Sequence, residues 1–315
     1  MSNRAKISIL GMMTVILILL FLFIDLGMNW DYALPRRGKK VLAIVLTGGV
    51  IAFSTMIFQT ITNNRILTPS IIGLDSLYML IQTFLIFVFG SANMTVMNKQ
   101  LNFMISVGLM VLFAGLLYKL LFKSEGRNIY FLLLMGIIFG TFFSSITSFL
   151  QVLIDPNEFM IVQDRMFASF NNVNTDLFLI VIVLIILTCI YFYPFTKYLD
   201  VMSLGREQAI NLGVDYDDVV KRLLVVVVIF VSIATALVGP ITFLGLLVVN
   251  VAHQFMKTYQ HKYLLVSSML ISVIALVGGQ LLVERVFTFS TTLSVIINFV
   301  GGVYFIYLLL KESKR

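Results

Sequence analysis

About ten stretches of this chain are each apolar for long enough to cross a lipid bilayer, and that restricts the available folds more than any other feature. A helix needs roughly 20 apolar residues to span hydrocarbon. Such runs lie near 6–25, 41–61, 73–90, 99–122, 129–153, 175–195, 219–238, 242–257, 262–283 and 293–311. Of the 315 residues 60% are hydrophobic and only 12% are charged, which excludes a soluble domain. Backbone polar groups cannot stay unpaired in lipid, and the period-two alternation of a barrel is absent, so the spans are helices. The expectation is an all-α polytopic membrane protein with about ten transmembrane helices. Its single transmembrane domain would run over 1–315, without a soluble domain or low-complexity linker.

Lysine and arginine orient such a bundle. With the N-terminus cytoplasmic, the inner set is Arg4, Lys6, Arg65, Lys119, Lys123, Arg127, Lys197, Arg206, Lys221, Arg222, Lys257, Lys262, Lys311, Lys314 and Arg315. That is fifteen of the 22 basic residues, and the bias predicts that both termini are cytoplasmic. The net charge of +7 then reflects topology and calls for no nucleic acid. One cluster, Arg36, Arg37, Lys39 and Lys40, falls on what reads as an outer loop and violates the rule, which invites a functional explanation. The first run is too long for a cleaved signal and no small-residue cleavage site follows it. Cys189, the only cysteine, cannot form an intrachain disulfide, and its place inside an apolar span argues for burial and against thiol chemistry or a cysteine metal site.

Two segments interrupt the helical pattern. In NNRILTPSIIGLD (63–75), Pro69 removes a backbone donor and Gly73 loosens the chain. The second break is Gly239-Pro240 in VGPITFLGLL. Broken helices at membrane depth are tolerated only where protein or a water-filled path covers them, which favours a transporter over an inert anchor. In the longest outer loop, near 154–175, Asp155-Pro156 fits the start of a short helix.

Between two apolar runs lies SLGREQAINLGVDYDDVVKR, residues 203–222. Ser203 can cap a short helix from Leu204, with Glu207 in its early turns, where the dipole favours an acid. Gly213 suits the left-handed residue that closes such a helix. Asp215 with Asp218 resembles a capping box that opens the next helix. Ala209, Leu212 and Val214 would be left exposed. Two readings stand: a peg that docks a soluble partner, or an amphipathic connector on the bilayer surface.

Chemistry is sparse. The GxxxxGK[ST] phosphate loop is absent. His253 and His261 lack partners at metal-ligand spacing, so no metal site is expected, and His253 reads as a polar residue near the inner end of its span. Ser54, Ser144, Ser145 and Ser148 have no histidine base, so no catalytic residue is assigned. Mid-span acids, the usual sign of ion coupling, are missing: Asp25 falls at the outer end of the first span, Asp75 reads as a helix cap, and Glu284 lies just past a span as a partner for Arg285. Energy for transport would have to come from another subunit.

Three elements in order resemble a known family. They are Leu34-Pro35-Arg36 followed by Gly49, Gln59, Asn64, Leu67, Pro69, Ile72 and Gly73; then Ala209, Leu212, Gly213 and Val214; then Gly239, Pro240, Ile241, Phe243, Gly245 and Leu246. Together they resemble the R-L-P-R and N-P-L-A-x-P-x-x-L-G, A-x-x-L-G-V and G-P-I-x-F-x-G-L elements of FecCD/BtuC-type permeases. These are subunits of bacterial ABC importers for iron–siderophores, haem and vitamin B12. Ala33 departs from the first element, and Val249, Asn250 and His253 stand where the family has P-H-x-x-R. The wording of 61–83 is most similar to permeases of catecholate-type siderophore importers such as petrobactin systems.

The resemblance implies a type II ABC importer permease in a bacterial plasma (inner) membrane, passing a ferric siderophore from an extracytoplasmic binding lipoprotein to the cytoplasm. It implies a cytoplasmic ABC ATPase dimer carrying the ATP and Mg, a second permease chain (itself or a paralogue), and no cofactor on this chain. Leu204, Gly205, Ala209, Leu212, Gly213 and Val214 would dock the ATPase. Arg36, with Arg37 and Arg285 by position, would meet acids on the binding protein. Asn64, Pro69, Gly73, Gly239, Pro240 and Gly245 would form the breaks that gate the path. The alternatives are an importer for haem or vitamin B12, a secondary ion-coupled carrier, or a membrane scaffold.

Overall fold

A computed structural model describes residues 2–24, 30–90, 98–121, 129–171 and 173–312. Asp25 lies outside the described residues, as do Lys123, Arg127, Lys314 and Arg315 of the inner basic set. Helices carry the described chain and no strand occurs in it: α1 (Asn3–Phe23), α2 (Trp30–Thr62), α3 (Leu74–Phe89), α4 (Lys99–Leu121), α5 (Ile129–Leu153), α6 (Pro156–Met166), α7 (Phe178–Phe192), α8 (Leu199–Met202), α9 (Arg206–Asn211), α10 (Tyr216–Val238), α11 (Leu244–Met256), α12 (His261–Arg285) and α13 (Leu293–Glu312). Among the described residues eight segments are long and apolar enough to cross a membrane, one of them the run of α7 through α8. α3 and α11 are apolar but have only 16 and 13 residues. At 1.5 Å per residue they span roughly 24 and 20 Å, short of the ~30 Å hydrocarbon layer. An irregular segment, 63–73 and 239–243, precedes each of them.

α2 is the hub. Its span is mostly buried, and it packs against α10, α11 and α12. Apolar helices in lipid gain little from hydrophobic contact with one another, so close approach through small residues replaces it. A Cβ on Gly48 would lie 2.7 Å from Leu276 Cδ1 of α12, and one on Gly245 of α11 would fall inside the shell of Thr55 Oγ1, 2.9 Å from Thr55 Cβ. Phe53 of α2 packs edge-on against Phe192 and Phe230, at 4.8 and 5.3 Å between centroids. The periphery is apolar on its outside: Val15, Leu112, Leu179 and Phe299 are all exposed. A continuous apolar exterior of this extent needs lipid or another membrane chain to cover it.

At 33 residues α2 is roughly 50 Å long and overshoots the bilayer. It begins at Trp30 and not near 41, so Arg36, Arg37, Lys39 and Lys40 sit on its early turns and not on a loop. Pro35 is accommodated inside it. The one bond that proline deletes, to the carbonyl of Asp31, falls beyond the apolar layer, where water can replace it. Glu284 likewise lies within α12 and not past it. Cys189 is exposed on the apolar exterior of α7, contrary to the expected burial.

The expected helix start at Asp155-Pro156 is present: Asp155 Oδ1 accepts from Asn157 N–H at 2.9 Å. Arg165 near the end of α6 donates to Gln82 Oε1 of α3, and Gln82 Nε2 donates to Ser106 Oγ of α4 at 2.8 Å. This chain of polar side chains pins the short helix across two longer ones.

Candidate functional site

The 203–214 loop is built from two helical turns and a reversal. Ser203 closes α8, its hydroxyl donating to the carbonyl of Asp200 at 2.7 Å, and caps no following helix. Gly205, at φ +100°, precedes α9 without a side-chain cap; Glu207 lies in the first turn as expected. Gly213 takes φ +82°. Its N–H donates to Ile210 O at 2.9 Å and that of Val214 donates to Ala209 O at 3.0 Å. Those paired bonds are the Schellman closure, which turns the third-from-last helical residue and the residue after the glycine to one side. That geometry corrects the sequence expectation: Ala209 and Val214 are buried, while Leu204, Ile210 and Leu212 are 56%, 44% and 63% exposed. Of the three residues expected outside, Ala209 and Val214 therefore face inward and only Leu212 is exposed. Asp215 Oδ1 accepts from Asp218 N–H at 3.3 Å and caps α10. The ion pairs Arg206–Asp217 and Arg222–Asp218, 3.3 and 2.7 Å, are about half exposed and contribute little to stability.

The two breaks meet. Pro69–Ile72 forms a 3₁₀ turn ended by Gly73 at φ +84°. A Cβ there would lie 3.0 Å from backbone atoms of Gly136 and Gly140 in α5. Gly239 takes φ +100°, followed by Pro240, and the carbonyl of Val238 accepts from Ser169 N–H at 2.9 Å. Asp75 does not cap α3, whose N-cap is Gly73. Its carboxylate instead accepts from Thr235 Oγ1 (3.4 Å) and Thr242 Oγ1 (3.5 Å), which ties the start of α3 to the end of α10 and to the second break. Gly245 packs α11 on α2 just past that break. Asn64 turns the chain at the first break, its Oδ1 accepting from Ile66 N–H at 2.9 Å. Arg65 O accepts from Gln59 Nε2 at 2.7 Å and from Asn250 Nδ2 at 2.9 Å. Asn250 thus holds the first break against α11, from one of the positions where the sequence departs from the family pattern.

At the opposite end of the bundle from the 203–214 loop, the basic residues are divided by role. Arg37 is half-buried and donates to the carbonyls of Phe21, Leu22 and Ile24 at 3.2, 3.2 and 2.6 Å. Arg285 donates to Ile24 O at 3.1 Å. The C-terminal carbonyls of α1 lack intrahelical partners, and cations are favoured there. Lys40 pairs with Glu284 at 2.8 Å, both largely buried, so Glu284 is the partner of Lys40 and not of Arg285. Gln280 Nε2 donates to Glu284 at 2.9 Å and to Asn171 at 3.1 Å. Arg36, Arg37, Lys40 and Glu284, with Tyr32 and Phe289, line a cavity of about 410 Å³. Arg36 itself is exposed.

Sequence reasoning missed several residues that the fold brings together near the loop. His261 Nδ1 lies 2.7 Å from Asp200 Oδ1, and its Nε2 lies 2.8 Å from Thr60 Oγ1. Tyr216 donates from Oη to Ile61 O at 3.2 Å. No spacing rule connects residues 60, 200 and 261, and no local pattern in the sequence marks them. His253 borders a cleft of about 540 Å³ with Arg65, Lys257 and Tyr259 at the loop end. No group of three metal-ligating side chains occurs among the described residues.

An all-helical membrane bundle with two interlocked helix breaks, and a structured polar turn at one end, is a translocation subunit in architecture. This chain belongs to the FecCD transport family, whose model matches residues 20–311. It is 69% identical over 314 residues to the petrobactin import system permease protein YclO of Bacillus subtilis, covering 100% of this chain and 99% of that one. It is 37% identical to the petrobactin import system permease protein FatC of Bacillus anthracis, over 88% of this chain and 78% of that one. Its fold matches a solved chain of a metal-chelate type ABC transporter in an inward-facing conformation, with TM-score 0.83 and 22% identity over 98% of this chain and all of that one. It is a multi-pass protein of the bacterial inner membrane.

Proposed function

We propose that this chain is the membrane-spanning permease subunit of an ATP-driven importer that moves ferric siderophores, of the petrobactin type, from an extracytoplasmic binding protein to the cytoplasm. The observation that carries this reading is the 69% identity to a petrobactin permease along the whole chain. In it the ten apolar helices span the membrane, with both termini and the 203–214 loop cytoplasmic. A cytoplasmic ATPase dimer binds that loop through Leu204, Ile210 and Leu212, and the chain pairs with a second permease. A ferric siderophore brings its own iron ligands, so the permease need supply no metal site. It needs a wide path that holds its cargo weakly, and spans poor in charge suit that demand. Uptake of a panel of labelled ferric chelates by cells lacking this chain is the test. Loss of ferric catecholate uptake alone is expected; loss of haem or vitamin B12 uptake instead would overturn the substrate assignment.

Gly213→Val is expected to leave insertion intact and to uncouple ATP hydrolysis from transport. Nothing lies within 4 Å of a Cβ there, so the penalty is conformational, about 1–2 kcal/mol for the left-handed backbone. Its site is the Schellman closure that orients Leu212. Normal transport by the assembled mutant would remove the assignment of the loop.

Arg36 and Lys39 are exposed at the opposite end, as is Arg285, and Arg36 and Lys39 are assigned to the binding protein. Arg37 and Arg285 also hold the end of α1. Arg36→Glu with Lys39→Glu should weaken binding-protein affinity most at low salt, because exposed charges are screened beyond about 8 Å at physiological ionic strength. Arg37→Glu should in addition lower thermal stability. Equal affinity of wild type and the double reversal, at low salt, would dismiss the docking role.

A further inference from the structure

The docking loop is fastened at both ends to one turn of one helix. On its upstream side is Asp200, in α8. Its Oδ1 accepts from the backbone N–H of His261 at 2.8 Å and faces the ring Nδ1 at 2.7 Å. A carboxylate can only accept, so Nδ1 carries a proton and Nε2 is turned to Thr60 Oγ1, 2.8 Å away on α2. His261 and Thr60 are buried, whereas Asp200 is about half exposed beside the loop. On the downstream side is Tyr216, the first residue of α10. Its hydroxyl donates to Ile61 O, one of the last carbonyls of α2 and one that the helix itself cannot satisfy.

The same turn of α2 is bonded onward into the first helix break. Asn63 N–H donates to Thr60 O at 3.3 Å and Asn64 N–H to Gln59 O at 3.2 Å, while Gln59 Nε2 holds Arg65 O. We propose that the last turn of α2 receives the displacement of the 203–214 loop through two clamps, Asp200–His261–Thr60 and Tyr216–Ile61, and delivers it to the break at 63–73. The His261–Thr60 and Tyr216–Ile61 contacts are buried, which keeps solvent from either partner when the loop is pushed, and the half-exposed Asp200 is joined to them by two bonds to the one residue His261. The exposed pairs Arg206–Asp217 and Arg222–Asp218 can exchange with water and transmit little. His261, Thr60 and Tyr216 are thus positioning residues for transport; none of them needs to touch cargo.

The proposal rests on the reading of 203–214 as the ATPase-docking loop, and its test separates the two. The full complex, with ATPase and binding protein, is reconstituted in vesicles. ATPase affinity, ATP hydrolysis and chelate moved per ATP are measured together. In His261→Asn the amide nitrogen stands near the place of Nδ1 and keeps Asp200, but does not reach Thr60. In His261→Gln it reaches Thr60 and leaves Asp200. Each variant, and Tyr216→Phe, should lower chelate moved per ATP by roughly 2- to 30-fold, the range seen when coupling networks are perturbed, with ATPase affinity unchanged. His261→Asn combined with Tyr216→Phe should fall below either alone. If a His261 variant is not recovered folded, Thr60→Val removes the hydroxyl at constant shape and takes its place. Wild-type coupling in His261→Asn (or Thr60→Val) and in Tyr216→Phe would overturn the clamps. So would a loss of ATPase affinity that parallels the loss of transport. Leu212→Asp tests the docking reading by itself: normal ATPase binding there would defeat that reading, whichever way the clamp variants behave.

Discussion

Vesicles holding this chain with its ATPase and binding protein are expected to accumulate ferric chelate when ATP is supplied, and to accumulate none without the ATPase. Collapsing the proton gradient at constant ATP should leave the rate unchanged. The chain has no phosphate-cradling GxxxxGK[ST] loop, and the proposed function assigns ATP use to a separate subunit. Asp75, the acid between the two breaks, is held by two threonine hydroxyls and bridges helix segments, which is a structural duty. Gradient-driven uptake by the chain without an ATPase would defeat the importer reading and restore a secondary carrier. Asp75 would then be the first residue to neutralise, with Asp25 after it.

Gly245→Val should be the most damaging single substitution at the breaks. Its new Cβ would overlap Thr55 Oγ1 and lie 2.9 Å from Thr55 Cβ, on the buried face where α11 meets α2. Overpacking of this kind costs about 1–3 kcal/mol where neighbours can yield, and more where they are backbone-anchored. Thr55 sits in the middle of the hub helix, so relief requires α11 to move bodily away from α2. The expected result is a lower melting temperature in detergent and no transport. Gly245→Ala should show a milder form of the defect, and Gly245→Ala with Thr55→Gly should recover much of it by removing the obstructing Cβ. Unchanged melting in Gly245→Val would mean that α11 and α2 are not in this close contact.

Charge arrangement illustrates how far local patterns reach. Asp155 and Asp215 cap the helices that follow them, as their spacing predicts, because a cap joins residues two or three apart. Gly213 takes the left-handed conformation for the same local reason. Glu284 has Arg285 next to it in the sequence and chooses Lys40, 244 residues away, because neighbours on a helix do not face each other. Asp75 sits where a cap could be, and the packing of α10 and the second break against α3 gives its carboxylate other donors. Ala209 and Val214 are apolar residues of a polar loop and look exposed. The Schellman bonds fold them inward, leaving Ile210 to join Leu212 outside.

The sequence by itself determined the membrane class, since runs of apolar residues with so few charges have no other low-energy solvent. It also determined the two breaks and the short polar turn, since proline and glycine act on their own backbone and on that of adjacent residues. The start of α2 was beyond its reach: a basic, proline-containing segment reads as a loop, yet helix persists where water can satisfy the one carbonyl that Pro35 leaves unpaired. The meeting of the two breaks at Asp75, and the fastening of the docking loop to α2 by Asp200, His261 and Tyr216, belong to tertiary structure alone. Each depends on hydrogen bonds between residues 61 to 201 positions apart, and such partners become neighbours only when the helices pack.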